Sequence, residues 1–482
     1  MPPEAADVAA AARRAVRELL RVSGTTDPLA RRFGVAGRRL YLVGGPVRDA
    51  LLGRPSTDLD FTTDARPEEI LDIVESLGPT WTTGFEYGTV GVQVGGVACE
   101  ITTFRSDAYD PSSRKPAVEY GSTVEADLSR RDFTVNAMAV ALPVDAAQPI
   151  VDPFNGLQDV VAGLLRTPVA PEQSFDDDPL RMLRAARFTA QLGFEVVPEV
   201  FDAIRAMGDR LDIVSAERIR DELIKLVCAP YPRRGLELLV ATGLVEHCLP
   251  EVGRLTETVD EHRRHKDVYA HTLTVLDQAI ALETDGPDLV LRLAALLHDI
   301  GKPKTRSIEP DGKVSFHHHE VVGADMTRRR LTELRFPKDV VDDVSRLVEL
   351  HLRFHGYSGG AWTDSAVRRY VRDAGPLLDR LHRLTRSDCT TRNARKARAL
   401  AEAYDSLEDR IGELAAEEDL NRIRPDLNGN EIMQELGIAP GPLVGEAHKH
   451  LLELRLERGP LAHEEAIAEL HDWAAAQGVD KR

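Results

Sequence analysis

The pattern of apolar and polar positions divides the chain into a sheet-containing part and a longer helical part. Three segments alternate in the way that predicts strands: residues 39–43, 58–61 and 90–104. Gly95 and Gly96 predict a hairpin turn within the last of these. Residues 7–33 read as an amphipathic helical lead-in, and a helical period dominates from Phe175 onward. We therefore expect a mixed α/β head followed by helical domains.

Length, cysteine spacing and hydropathy place further bounds on the chain. At 482 residues it is too long for one hydrophobic core, so three or four domains are expected. The four cysteines lie far apart, which argues against a disulfide framework and against a zinc ribbon. No stretch reads as a signal peptide or as a membrane span. These features predict a protein of the reducing cytoplasm with no membrane partner.

The charge of the chain is acidic overall but unevenly distributed. A net charge of −18 argues against an indiscriminate nucleic-acid binder, whose surface is usually basic. Residues 380–398, however, carry seven basic side chains against Asp388 alone. Such a segment could contact phosphates, or it could be the solvated face of an arginine-rich helix. The sequence leaves both interpretations open.

The strongest chemical signal lies in a glycine turn followed by two spaced aspartates. Gly44 and Gly45 follow the first predicted strand and allow close approach of a phosphate, to which Arg48 can add a fixed cation. Asp58 and Asp60 share one face of the next strand, and such paired carboxylates can hold Mg²⁺. Each feature alone is common in ordinary turns and solvated faces. In this order and spacing they predict a site for a nucleotide and a metal.

These residues resemble a known family. Residues 44–53 read Gly-Gly-Pro-Val-Arg-Asp-Ala-Leu-Leu-Gly, and with Asp58-x-Asp60 they are similar to the signature of the class II tRNA nucleotidyltransferases and bacterial poly(A) polymerases. Members belong to the DNA polymerase beta-like superfamily. The resemblance implies an α/β nucleotidyltransferase head followed by an all-helical neck, an HD domain and a helical tail.

Further site residues are implied by the same resemblance. Glu100 matches the third carboxylate that joins Asp58 and Asp60 as catalytic, Mg²⁺-binding residues. Residues 130–139 match the family's second motif, in which Arg131 neutralises the triphosphate, Asp132 accepts from the ribose 2′-hydroxyl, and Asn136 also belongs to the nucleotide site.

The segment 176–188 is predicted to read the base. Asp178 and Arg181 are three apart, hence on one face of the predicted helix, and an acceptor beside a donor fits cytosine and adenine but mismatches uracil and guanine. The segment resembles the family's protein-template motif, with Asp177 where the family usually has Glu. Acid and Arg one turn apart are also common in ordinary capping. Two further residues of this segment are assigned to nucleotide binding: Arg184 and Arg187.

Histidines cluster in the second half of the chain. Their order with two aspartates resembles the HD phosphohydrolase domain and predicts a divalent transition-metal site formed by four residues: His271, His298, Asp299 and Asp388. A degenerate HD fold without metal is the alternative. Whether His318, His319 and His351 form a second metal shell or contact substrate is left open.

The resulting interpretation has five segments. They are a helical lead-in (1–38), a catalytic head (39–167), a helical nucleotide-selecting neck and RNA-binding region (168–255), an HD domain (256–396) and a helical tail (397–482). The resemblance implies addition of CMP and AMP, as CCA, to the 3′ end of tRNA, with CTP, ATP and tRNA as partners and two Mg²⁺ in the head. The oligomeric state is left open.

Three other functions compete with this one. A CC-adding enzyme would differ mainly in the polar segment 105–128, which reads as a mobile loop and whose length favours CCA addition. A poly(A) polymerase would be expected to carry a further basic motif before Glu100, which is not found between Thr80 and Glu100. From a different class, the chain could be a metal-dependent HD phosphohydrolase with an RNA-binding module.

Overall fold

In the computed structural model, the described residues are 5–54, 58–105, 120–144, 150–258, 268–354, 362–391, 393–420 and 423–479. The chain forms two compact units, Met1–Cys248 and Leu249–Arg482. Each unit is described by itself below. None of the helices within these ranges is long and apolar enough to cross a membrane.

The first unit contains a six-stranded mixed sheet. Its strands are β1 (Leu40–Val43), β2 (Leu59–Thr63), β3 (Thr80–Trp81), β4 (Thr89–Val94), β5 (Val97–Thr103) and β6 (Ala139–Ala141). They lie in the order β3-β4-β5-β2-β1-β6, and only β2 and β5 are parallel. The parallel pair places Asp60 opposite Glu100 in register.

The structure confirms the predicted alternation of buried and exposed residues in β2 and the predicted turn between β4 and β5. Leu59 and Phe61 are buried at 2% and 1% exposure, whereas Asp60 between them is exposed. This alternation follows from the two-residue period of a strand. Gly95 and Gly96 form the turn between β4 and β5, and both have positive φ, which glycine adopts without steric cost.

Helices surround this sheet and continue beyond it. In chain order they are α1 (Ala5–Arg21), α2 (Ser23–Val35), α3 (Gly45–Leu51), α4 (Pro67–Val74), α5 (Val124–Ser129), α6 (Gly156–Ala162), α7 (Pro171–Asp177), α8 (Leu180–Leu192), α9 (Pro198–Met207), α10 (Ala216–Val227) and α11 (Pro232–Thr242). Two short strands, β7 (Leu164–Leu165) and β8 (Glu195–Val196), pair in parallel. The predicted lead-in thus forms two helices.

The prediction of one helix through residues 176–188 is wrong at its centre. The chain leaves the helical conformation at Asp178, with φ −146° and ψ 99°, and resumes it in α8. Pro179 explains the break, because a proline ring disfavours the α conformation of the residue before it. Asp178 and Arg181 therefore do not share one face of a continuous helix.

The segment predicted as a loop, residues 105–128, ends in a helix. Its last residues form the beginning of α5, where the Thr123 hydroxyl accepts a hydrogen bond from the Ala126 N–H. A threonine at this position satisfies one of the free N–H groups at the start of a helix. Residues 106–119, on which the choice between CC and CCA addition was based, lie outside the described residues.

The second unit is helical. Its helices are α12 (Pro250–Gly253), α13 (Val268–Ala281), α14 (Leu289–Leu297), α15 (Lys302–Thr305), α16 (His319–Glu333), α17 (Lys338–Leu350), α18 (Asp364–Ala374), α19 (Leu378–Ser387), α20 (Ala394–Glu417), α21 (Gly429–Leu436), α22 (Pro442–Arg458) and α23 (His463–Ala476). A small antiparallel pair, β9 (Ser307–Ile308) and β10 (Val314–Ser315), precedes α16. The last three helices share a buried apolar cluster that includes Leu436, Leu451 and Leu470.

The basic segment 380–398 is largely neutralised by acids of the same unit. Arg380 bonds Asp288 at 2.8 Å, Arg386 bonds Asp405 at 2.7 Å, and Arg383 pairs with Asp379. These acids neutralise the arginines, which therefore attract a phosphate less strongly. The contacts favour the second interpretation of this segment, an ordinary arginine-rich helix face.

Candidate nucleotide site and candidate metal centre

An open cavity of about 620 Å³ in the first unit brings together residues that lie far apart in the sequence. It is lined by twelve of the predicted site residues: Gly44, Gly45, Arg48, Asp58, Asp60, Arg131, Asp132, Asn136, Asp178, Arg181, Arg184 and Arg187. Glu100 is not among the lining residues, although it lies beside Asp60 on the neighbouring strand. The cavity is therefore strongly polar, with carboxylates at the sheet and arginines on the helices.

The glycine turn between β1 and α3 requires glycine at its first position. Gly44 has φ 76° and ψ −132°, a conformation that side chains rarely adopt. A Cβ atom at this position would also lie 2.9 Å from Nη1 of Arg131. Gly44 thus lets the turn and the Arg131 guanidinium approach each other at the wall of the cavity.

The carboxylates repel one another in the absence of a cation. Although Asp60 is exposed at the cavity, the loss of part of its surrounding water raises its pKa, Arg131 opposes this rise and the Asp58 charge adds to it. The pKa of Glu100 is raised by partial burial and by both aspartates. A divalent cation with oxygen ligands relieves this kind of repulsion. The three carboxylates therefore have the chemistry of a site for a divalent cation.

A buried network of charges forms the opposite wall. Arg48 donates to Oδ1 of Asn136 at 2.6 Å, and Nδ2 of Asn136 donates to Asp132 at 3.0 Å. The Arg184 Nε donates to Asp132 at 2.8 Å, and its Nη1 donates to Glu222 at 3.3 Å. Each cation in this chain of contacts has an anion or an amide oxygen as its partner.

Asp132 is ionised and has little free acceptor capacity. Although burial opposes ionisation, the Arg184 charge and the Asn136 amide hold the pKa of Asp132 well below its usual range. Its Oδ1 accepts from Asn136 and from the Phe133 N–H, and its Oδ2 accepts from Nε and Nη2 of Arg184. A carboxylate has about four acceptor positions. In this state, Asp132 therefore orients Arg184, and a ribose hydroxyl would have to replace one of these donors.

The predicted base-reading pair does not form an ion pair. Arg181 donates to Ser174 Oγ at 2.9 Å, to the Ser174 carbonyl at 3.2 Å and to the Arg130 carbonyl at 2.5 Å. The Asp178 carboxylate instead accepts from Arg218 at 3.0 Å. Both side chains still line the same cavity.

Several residues at or behind the cavity wall were not predicted as individual site residues, and they include Phe188, Arg218, Glu222 and Lys225. Glu222 is 4% exposed and contacts both Arg184 and Arg187, and Lys225 lies 3.9 Å from it. The Phe188 ring lies 3.9 Å from the Arg187 guanidinium carbon. Arg218, Glu222 and Lys225 lie on α10, inside the predicted neck region, and they reach the site because α10 packs on α8.

The second unit contains a histidine cluster at the ends of five helices. Two groups of side chains have ligand atoms close enough to hold an ion. The first consists of His271, His298 and Asp388, and the second of Asp299, His319 and His351. Oδ2 of Asp299 lies 3.2 Å from Nε2 of His298, and Oδ1 lies 3.3 Å from Nε2 of His319. The Asp299 carboxylate therefore lies between the two groups.

Backbone contacts fix which imidazole nitrogen faces the cluster. The Nδ1 atoms of His298, His319 and His351 each lie 2.6 to 2.9 Å from a carbonyl three residues earlier. This leaves each Nε2 directed inward, and within the described residues none of these three buried atoms makes a well-aligned hydrogen bond. A second contact on Nδ1 is the usual arrangement for histidines that bind metal through Nε2.

The pKa shifts within the cluster agree with metal binding through the Nε2 atoms. Burial and the neighbouring His298 lower the pKa of His351 to about 3, so it is a neutral ligand near pH 7. Despite burial, His298 and Lys302 hold the pKa of Asp299 well below its usual range. Neutral imidazoles with ionised carboxylates suit a divalent transition metal. Of the three histidines whose role the sequence left open, His319 and His351 lie in the cluster, whereas His318 is exposed.

Gly301 allows the two parts of the cluster to meet. A Cβ atom at this residue would lie 2.1 Å from the His319 carbonyl oxygen. No ordinary side chain fits at that distance, so the turn after His298 and Asp299 needs glycine to pack against the start of α16.

The fold and these two sites define a polymerase-type nucleotidyltransferase head joined to an HD domain. Residues 40–166 match the poly A polymerase head domain, residues 193–255 match the probable RNA and SrmB-binding site of polymerase A, and residues 268–415 match the HD domain. These matches confirm the predicted fold class.

Similarity to known proteins extends over nearly the whole chain. An A-adding tRNA nucleotidyltransferase of Deinococcus radiodurans is 34% identical over 443 residues, covering 90% of this chain and 95% of that protein. A CCA-adding enzyme of Streptococcus thermophilus is 31% identical over 441 residues, covering 91% and 93%. The crystal structure of the Bacillus stearothermophilus CCA-adding enzyme in complex with CTP has a TM-score of 0.67 at 25% identity, covering 94% and 98%. The chain belongs to the tRNA nucleotidyltransferase family, which confirms the resemblance drawn from residues 44–60.

Proposed function

We propose that this protein adds CMP and AMP to the 3′ end of tRNA, using CTP and ATP. The observation that carries the proposal is the cavity of the first unit, in which a glycine turn, paired carboxylates and a wall of arginines meet. Relatives named A-adding and CCA-adding enzymes support tRNA as the acceptor. Because tRNA maturation takes place there, we place the protein in the cytoplasm.

Different residues of the cavity bind the triphosphate and the metal ions. The 3′-hydroxyl oxygen of tRNA forms a bond to the α-phosphorus of the nucleotide, and pyrophosphate leaves. Arg48 and Arg131, beside the turn at Gly44, would neutralise the triphosphate. Asp58, Asp60 and Glu100 would hold Mg²⁺, which supplies positive charge at the attacking and leaving oxygens.

The bases are distinguished at the end of the cavity formed by α8 and α10. Asp178 offers an acceptor and Arg181 offers donors, which fits the amino group and ring nitrogen shared by cytosine and adenine. Arg184 and Arg187 lie on the next turns of α8 and line the same cavity. Asp132 holds Arg184 in place, Glu222 holds Arg187, and Asn136 links Asp132 to Arg48.

The test uses tRNA transcripts that end before CCA, after C and after CC. Each is incubated with Mg²⁺ and labelled CTP or ATP, singly and together. Three additions that stop at CCA are the expected result. A single A added only to the CC transcript would indicate an A-adding enzyme, as in the D. radiodurans relative, and a stop at CC would indicate a CC-adding enzyme. An unlimited A tail or no incorporation would overturn the proposal.

A second activity is favoured by the unpaired ring nitrogens of the histidine cluster. We infer that the HD domain binds two divalent transition ions, one by His271, His298 and Asp388 and one by His319 and His351, with Asp299 between them. Such a pair suits hydrolysis of a phosphate ester. Release of product from a 2′,3′-cyclic nucleotide, lost in His298→Ala, is expected. No turnover with Mn²⁺, Ni²⁺, Co²⁺ or Zn²⁺ would leave the domain a structural one.

A further inference from the structure

The Asp178 carboxylate lies at the cavity wall in contact with a residue from a distant part of the chain. Arg218, on the first turn of α10, donates through Nη2 to Oδ2 at 3.0 Å and to Oδ1 at 3.3 Å. The two residues are 40 positions apart, and both line the cavity. The guanidinium side chain is 54% exposed, so this ion pair is formed at the surface that a nucleotide would contact.

The hydrogen bonds that the Asp178 carboxylate accepts occupy most of its acceptor positions. Its Oδ1 also accepts from the Leu180 N–H at 3.2 Å, which ties the carboxylate to the start of α8. Of about four acceptor positions on a carboxylate, two on Oδ1 and one on Oδ2 are thus taken. The position that remains is on Oδ2, and its direction is set by Arg218.

Arg181 does not provide this orientation. Its guanidinium is 91% buried and is directed to Ser174 and to the Arg130 carbonyl. Asp178 itself lies outside both helices, because Pro179 interrupts them. The Asp178 backbone is held on both sides, since its N–H donates to the Ser174 carbonyl at 3.2 Å and its carbonyl accepts from the Arg181 N–H at 3.0 Å. Its side chain is restrained by the Leu180 N–H and, from outside these two helices, by Arg218 of α10.

We propose that Arg218 is a positioning residue for base selection: it holds the Asp178 carboxylate so that one acceptor faces the nucleobase. This inference deepens the proposed function and rests on it. A base with an exocyclic amino group, as in cytosine, donates to that acceptor, whereas the uracil carbonyl at the same place meets a fixed negative charge. Without Arg218 the carboxylate can rotate away, and the penalty against uracil falls.

The test compares incorporation of CMP and UMP into a tRNA transcript that ends before CCA. In Arg218→Gln the ratio of kcat/KM for CTP to that for UTP is expected to fall by about tenfold, the size expected for a charge-assisted hydrogen bond. Arg218→Lys keeps the charge on a shorter, more flexible side chain without the planar guanidinium, so an intermediate ratio is expected. A purely structural role would lower both rates and leave the ratio unchanged.

A matched control removes a similar ion pair outside the cavity. Arg210 contacts Asp176 at 2.8 Å, two residues before Asp178, and does not line the cavity. Arg210→Gln should therefore keep the wild-type ratio. In an Asp178→Ala background, adding Arg218→Gln should change the ratio no further, because the positioning residue acts only through Asp178.

The outcomes separate this inference from the proposed function. If the wild-type protein incorporates neither CMP nor AMP, the proposed function is wrong. If it incorporates them and Arg218→Gln keeps the wild-type ratio, only the inference is wrong. Equal loss of selectivity in Arg210→Gln, or an additive loss in the double variant, would also overturn it. Melting curves identify any variant that does not fold, and Arg218→Lys then decides the outcome.

Discussion

The charged side chains around the cavity of the first unit are paired with each other, whereas the ring nitrogens of the histidine cluster in the second unit are not. Asp132, Arg184, Glu222 and Arg187 form one continuous set of ion pairs. In the histidine cluster, Asp299 pairs with Lys302 at 2.8 Å, but three inward Nε2 atoms are buried without a hydrogen bond to any described residue. Both regions contain ion pairs, but the second also contains these buried ring nitrogens.

This difference separates two ways of building an ion site. A cavity that must admit and release a nucleotide in every cycle needs a wall that keeps its shape when empty, and internal ion pairs supply that. A site with buried unpaired nitrogens is costly to leave empty, because each such group loses its water without compensation. We therefore expect the head to tolerate the loss of its metal, and the HD domain to depend on its metals for stability.

The largest effect is expected where the internal pairing of the cavity wall is broken. Glu222→Gln removes the charge that Arg184 and Arg187 share, while burial and Arg184 already lower the pKa of Arg187 to about 10. Removing one partner of a buried ion pair costs roughly 3 kcal/mol in the free energy of unfolding. Urea unfolding of wild-type and variant protein measures this loss.

The control for this prediction is Glu217→Gln, on the first turn of the same helix. Glu217 is exposed. Its substitution should cost less than about 1 kcal/mol, the usual value of an acid near a helix N-terminus. Equal losses in the two variants would show that the buried pairing does not stabilise the wall of the cavity.

A slightly smaller effect is expected from each metal ion bound at the histidine cluster. Saturation at a hundred times the dissociation constant stabilises a folded protein by about 2.7 kcal/mol per independent ion. Removal of transition ions with a chelator should lower the melting temperature, and their return should restore it. Asp299→Asn should abolish this response, whereas Asp311→Asn, an exposed change in the same unit, should not. A response that survives in Asp299→Asn would show that the ions bind elsewhere.

The smallest effect concerns pH. Burial holds the pKa of His351 at about 3, below the 6.5 of an exposed histidine. As the pH falls below 6.5 the unfolded chain binds this proton and the folded chain does not, so stability is lost progressively towards pH 3. Between about pH 6.5 and about pH 4.5, the metal-free wild type should lose roughly 2 kcal/mol more than His351→Gln. Parallel curves for the two proteins would contradict the assignment.

Local patterns were sufficient to predict much of the head. The alternation at Leu59, Asp60 and Phe61 predicts both the strand and its exposed carboxylate, and the structure has both. The glycine pair at residues 95 and 96 predicts the hairpin for a similarly local reason. These features depend on the two-residue period of a strand and on positive φ, which are properties of the segment itself.

Tertiary contacts account for what the sequence could not supply. Whether Arg181 or Arg218 contacts Asp178 depends on the packing of α10 against α8. The histidine cluster gives a second example, because the order of the residues suggests one set of four ligands. Only the packed helices show that His319 and His351 face Asp299 from the other side. The interruption at Asp178 is different, since Pro179 already signalled it in the sequence.

The most direct measurement compares tRNA addition by two single variants, Asp60→Ala and Asp299→Ala. Each is given Mg²⁺, CTP, ATP and a transcript that ends before CCA, and the labelled products are separated by length. If nucleotidyl transfer takes place in the cavity of the first unit, Asp60→Ala should lower the rate by about a thousandfold, as expected when metal stabilisation of several kcal/mol is lost. Asp299→Ala should stay within about twofold of wild type, an energetic difference below about 0.5 kcal/mol. Addition that survives in Asp60→Ala, or is lost in a folded Asp299→Ala protein, would contradict the account.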